Sequence, residues 1–207
     1  MIKEACIQSY DEAFIAQKSG AHRLELCSNI NLGGITPKKT LIKKIITSIK
    51  IPVRVMIRPR QGNFNYSENE LKLMERDIAY CKKLGVEGVV FGILNFDFTI
   101  NISSTKRIVK ASSPLKVTFH KAIDISNNSL TAVKILCQIP GITSILSSGR
   151  KKTAREGAKL IKQMNCIAKD RLSIIPAGKI TFNNINHIHR LINVKEYHGR
   201  NIVNEFN

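Results

Sequence analysis

Two cysteines and one histidine stand at the ends of strand-like runs in this chain, and each could do chemistry there. Cys6 lies in IKEACI at 2–7, Cys27 closes HRLELC at 22–27, and His120 closes VTFH at 117–120. A thiolate is a soft ligand that selects soft metals over hard cations. Neighbouring strands run about 4.8 Å apart, so thiols at one level of adjacent strands could share an ion. Two buried thiols packed as small hydrophobes are the other reading. A histidine titrates near neutral pH and can serve as general acid or base. Around it the sequence offers carboxylates and cations: Glu25, Arg58, Arg60, Asp124, Glu196 and His198. Arginines could hold a carboxylate or phosphate. Asp124, four positions after His120, either orients the ring or caps a helix. Glu25, Arg58, His120 and Glu196 form the candidate catalytic group, and Arg60, Asp124 and His198 the candidate binding group. A salt-bridge lattice that only holds a core together is the alternative for the same charges.

These residues need a frame that gathers strand ends. Strand patterns fall at about 2–7, 22–27, 52–58, 87–92, 115–119, 142–146, 172–176 and 194–198. Helical patterns fall between them, near 10–19, 38–49, 68–84, 103–111, 128–137, 152–164 and 182–192. Ser9 suits an N-cap, Pro37 a helix start and Gly85 a helix stop. Leu71, Met74, Ile78 and Cys81 share one helix face, which puts Cys81 in the core. Cys137 and Cys166 read as helix-core or helix-end residues. Strands alternating with helices imply parallel pairing through crossovers. Eight such units predict an α/β fold, a TIM-type (β/α)8 barrel over 1–207 as one domain, trimmed at the C-terminus with the last helix short or missing. The GxGxxG fingerprint of a doubly wound sheet is absent.

Strand side chains alternate faces. Glu4 with Cys6, Arg23 with Glu25 and Cys27, Arg54 with Met56 and Arg58, Thr118 with His120, and Glu196 with His198 share the polar, inward parity. The polar residues are expected late in their strands, at the barrel end that carries active sites.

Composition narrows the partners. The net charge of +18 invites a nucleic-acid reading. The lysines are spread along the whole chain among many Ile and Asn, as codon bias in an AT-rich genome would produce, so no specific nucleic acid is expected. No apolar run approaches the roughly 18–20 residues that span a bilayer, and the N-terminus does not read as a signal peptide. Five cysteines without a CxxC pair indicate reduced thiols and a cytoplasmic protein with no membrane partner.

At these residues the chain resembles the CutC copper-homeostasis family. The resemblance is carried by EAC at 4–6, AHRLELC at 21–27, GGITP at 33–37, MIRPRQGNFNYS at 56–67, VTFHKAID at 117–124, SSG at 147–149 and EYH at 196–198. It departs from the family pattern at Gln61, Gly62 and Asn63, at Lys121 and Ile123, and at Ala177, Gly178 and Lys179. The resemblance implies a TIM-type barrel, copper(I) binding and a role in copper tolerance. Cys6 and Cys27 are similar to the family's proposed copper ligands. A barrel enzyme acting on a small anionic molecule at the mouth is the alternative, and a structural remnant without chemistry the third. The partners expected are a copper ion or a small anion, with a homodimer allowed.

Overall fold

The computed structural model describes residues 1–206. Its strands are β1 (Ile2–Ile7), β2 (Arg23–Leu26), β3 (Val53–Met56), β4 (Gly88–Phe91), β5 (Lys116–Phe119), β6 (Ile142–Ser147), β7 (Ser173–Pro176) and β8 (Glu196–Gly199). Its helices are α1 (Tyr10–Lys18), α2 (Lys39–Ser48), α3 (Glu68–Leu84), α4 (Ile102–Ser112), α5 (Ser129–Leu136), α6 (Ala158–Ala168) and α7 (Ile185–Ile192). Two 3-10 turns, Ile30–Leu32 and Lys121–Ile125, follow β2 and β5.

Local chemistry sets the helix ends. Ser9 accepts the Glu12 amide at the start of α1, and Ser67 and Glu70 form a reciprocal capping box on α3. Gly85 ends α3 at φ 70°, a left-handed turn that suits glycine. The expected sixth helix begins later than 152. Residues Gly149 and Gly157 bring two backbone segments together instead, and a Cβ on Gly157 would lie 1.9 Å from the Ser148 carbonyl oxygen. Helical backbone resumes only beyond that crossing, at Ala158. Gly157→Ala is therefore expected to cost about 3 kcal/mol, at the upper end of overpacking effects. Urea unfolding at neutral pH measures it, and a loss under about 1 kcal/mol would refute the crossing as a constraint.

All strand pairs are parallel, in the order β7-β6-β5-β4-β3-β2-β1-β8. β1 pairs with both β2 and β8, so the sheet curls into a TIM-type barrel with its one seam between β7 and β8. Among the described residues no helix follows β8. Ile202 is buried there, Val203 and Phe206 pack on the core, and Arg200 pairs with Glu12 at 2.8 Å.

The outward parity builds the main core. Leu24, Leu26, Val55, Phe91, Val117, Phe119, Ile145 and Tyr197 are buried beneath the helices. Cys81 is fully buried on α3 as expected, and of the two helix-core or helix-end cysteines Cys137 is partly buried at the α5 end and Cys166 exposed in the last turn of α6. The inward parity is polar at the floor. Arg23 bonds Glu4 and reaches Glu196 at 2.6 Å, while Arg54 holds Glu87 at 2.9 Å, Thr118 at 2.8 Å and Ser144 at 3.0 Å. Such burial is tolerable because each charge is paired and hydrogen-bonded. The expectation that Glu196 sits late in its strand is corrected here. It opens β8 opposite Ile2, so it belongs to the floor of the barrel, away from the mouth.

Candidate metal centre

A cavity of about 290 Å³ opens at the mouth, and Cys6, Glu25, Cys27, Met56, His120 and His198 line it. Phe64 and Lys121, residues given no role from their spacing alone, complete the rim. Met56 had the inward parity that could have marked it.

The two thiols do not stand at the same rung. Cys6 pairs in register with Glu25, and the Cys27 amide bonds the Ile7 carbonyl at 3.0 Å. The inward positions of tilted barrel strands are offset, and the sulfurs meet across that offset at 3.8 Å. Both are buried in a small apolar cluster with Met56 and Val90. The contact with Cys27, together with burial, pushes the Cys6 thiol well above its ordinary value, against the pull of His198. A metal entering here must displace that proton.

Below Cys6, His198 Nδ1 bonds Glu4 Oε1 at 2.8 Å. Burial works to raise Glu4, but the hydrogen bond with His198 and the Arg23 charge hold it down at about 2. Burial disfavours the charged His198 ring, yet Glu25 and contacts with Cys6 and Glu4 carry it well above its ordinary value. Glu25 differs. Burial raises it to about 7 against His198, with Glu4 adding repulsion. Its Oε2 lies 4.0 Å from His198 Nδ1 and has no hydrogen-bond partner. One ligand atom each from Cys6, Glu25 and His198 lies within 4.8 Å of the other two.

His120 forms another part of the wall. Its Nδ1 accepts the Ala122 amide at 3.2 Å, which assigns the ring hydrogen to Nε2. That Nε2 is buried and has no partner. Burial, with the Arg58 charge, lowers the ring to about 3, so it is neutral at physiological pH. Phe64 packs against it edge-on with centroids 4.8 Å apart. Gly92 leaves the ring its room, since a Cβ there would lie 2.5 Å from Nδ1.

The other candidates are placed elsewhere. Arg58 turns its guanidinium to the carbonyls of Gly33, Gly34 and Gly62 at 3.1, 3.0 and 2.8 Å, so it braces two loops. Arg60 binds Glu70, Asn63 and Asn65 near the start of α3. Asp124 neither orients His120 nor caps a helix. It accepts from Ser147 Oγ at 2.6 Å, from the Ser148 amide and hydroxyl at 2.9 Å each, and from the Arg150 amide at 3.1 Å. It thereby latches the loop after β6. Of the sequence-derived set, the cavity brings together Cys6, Glu25, Cys27, His120 and His198.

Comparisons with known proteins agree with this frame. A family protein CutC of Histophilus somni is 39% identical over 195 residues, 94% of this chain and 80% of that protein. The copper homeostasis protein cutC homolog of Mus musculus is 39% identical over 197 residues, 95% of this chain and 72% of that protein. A crystal structure from Streptococcus agalactiae, described as a candidate copper homeostasis protein CutC, matches with TM-score 0.91 and 32% identity, covering 98% of this chain and 99% of that one. With the CutC family model matching residues 1–203, and a barrel whose mouth gathers the motif residues, this chain belongs to the CutC family.

Proposed function

We propose that the chain binds Cu(I) through Cys6 and Cys27 and so contributes to copper homeostasis in the cytoplasm. The observation that carries this reading is the 3.8 Å approach of the two sulfurs inside the mouth of the barrel. Soft thiolates select Cu(I), and two suffice for a low-coordinate site. The Met56 thioether packs in the same cluster and supplies a further soft group at the wall. The relatives named for copper homeostasis support the same reading. Among the described residues no helix is long and apolar enough to cross a membrane. Reduced thiols fit the reducing cytoplasm as the source of the ion.

An anaerobic Cu(I) titration against a chromogenic chelator tests it. Cys6→Ser and Cys27→Ser are each expected to weaken binding by more than about 100-fold, beyond the strongest outer-shell effects. Equal affinity in the wild type and both variants would sink the two-thiol site. The reading of a small anionic substrate has less support, because Arg58 and Arg60 direct their hydrogen bonds into loops.

A further inference from the structure

Among the described residues, Glu25 is the buried carboxylate of the interior charge network that is left incompletely paired. Glu4 is bonded by Arg23 and His198, Glu196 by Arg23, and Glu87 by Arg54 and Lys116. Glu25 Oε2 has no hydrogen-bond partner, and among the described residues its charged neighbour is the His198 ring at 4.0 Å. A buried carboxylate oxygen without a partner is costly, and a cation beside it removes that cost. Two further donors stand next to it. The ligand atoms of Cys6, Glu25 and His198 lie within 4.8 Å of one another, and all three residues are buried. Zinc bonds to sulfur, nitrogen and oxygen of about 2.0–2.3 Å put donor atoms roughly 3.3–3.8 Å apart. Side-chain rotation of about 1 Å closes that difference.

The surroundings fit as well. His198 commits Nδ1 to the buried Glu4 carboxylate. A carboxylate behind a ligating histidine is the usual outer-shell partner that orients the ring and raises its basicity. One thiolate, one imidazole and one carboxylate form a borderline donor set, harder than two thiolates. Three protein ligands facing a cavity leave the fourth position open, the pattern of catalytic rather than structural zinc. The unpartnered His120 Nε2–H stands on the wall of the same cavity.

We propose that Cys6, Glu25 and His198 form a second, mixed-donor metal site that takes a divalent cation such as Zn(II), its remaining coordination position opening on the cavity. The site shares Cys6 with the copper pair, so the two metals exclude one another. It stands on its own donor set and does not depend on copper binding.

Co(II) serves as the optical probe. Anaerobic titration of the whole chain is expected to give a sulfur-to-cobalt charge-transfer band and the strong visible bands of a four-coordinate ion. Glu25→Gln should weaken Co(II) binding by more than the about 10–100-fold that outer-shell changes cost, while Cu(I) binding persists. Cys27→Ser should do the reverse, and Cys6→Ser should lose both. The exposed Cys166→Ser should change neither. Co(II) binding by Glu25→Gln at wild-type affinity would overturn the proposal, as would its loss in Cys27→Ser. Should Glu25→Gln fail to fold, X-ray absorption of the wild-type Zn(II) complex decides. One sulfur with three nitrogen or oxygen neighbours supports the mixed site, and two sulfurs overturn it. Retention of Cu(I) by Cys27→Ser would count only against the copper pair, so the two readings fail separately.

Discussion

Arg23→Met should destabilise the barrel by about 3–5 kcal/mol at neutral pH, the usual cost of removing one partner from a buried ion pair. Arg23 is 5% exposed and bonds both Glu4 and Glu196. Methionine fills much of the same space, so the loss reports uncompensated charge more than a cavity. The pH dependence sharpens the test. Glu4 is held at about 2 against an ordinary 4.5, so its contribution to stability is present above about 4.5 and lost as pH falls through about 2. Without Arg23 its carboxyl titrates higher, and the acid transition moves to higher pH. Urea unfolding at several pH values measures both effects. A loss below about 1 kcal/mol, or an unmoved acid limb, would show that Glu4 relies on His198 alone.

Asp124→Ala is the second large effect, with an expected cost of about 3 kcal/mol. The carboxylate accepts four hydrogen bonds from Ser147, Ser148 and Arg150. Leaving partly buried donors unpaired costs about 1–3 kcal/mol each when water cannot replace the acceptor. Water reaches the exposed Arg150 amide, which keeps the total near the lower figure. Asp124→Asn retains one acceptor oxygen and should lose about half as much. Thermal unfolding gives the magnitude, and amide exchange at Ser148 and Arg150 gives the location. Faster exchange spread evenly over β6 and β7 would argue against a local latch.

The barrel was legible in the sequence because two periodicities alternate eight times, and parity assigned inward and outward faces correctly. Parity does not give height. Glu4 and Glu196 are inward, but strand tilt and the start of β8 at residue 196 place them at the floor. Nor does it follow a side chain past a strand end. Arg58 lies two residues beyond β3, where a long side chain can turn back to loop carbonyls. Asp124 sits in a 3-10 turn, wound at about three residues per turn, and reaches the loop after β6 rather than His120. The sulfur pair was suspected at one rung and was found offset, because adjacent inward positions are staggered in a tilted barrel. The pairing of Glu4 with His198 had no local signal, since the partners lie 194 positions apart.

That separation orders events during synthesis. β1 gains β2 as a neighbour early, but its other edge waits for the last strand. At about 5–20 residues per second the ribosome needs roughly 10–40 s to make the chain between Glu4 and His198. For that interval the nascent chain carries an open edge on β1, with Cys6 on β1 and Cys27 just past its partner β2. Cys6, Glu25 and Cys27 are thus all made early in translation, and the histidine arrives last. Whichever metal meets the chain on the ribosome meets the two sulfurs and Glu25 before it meets His198.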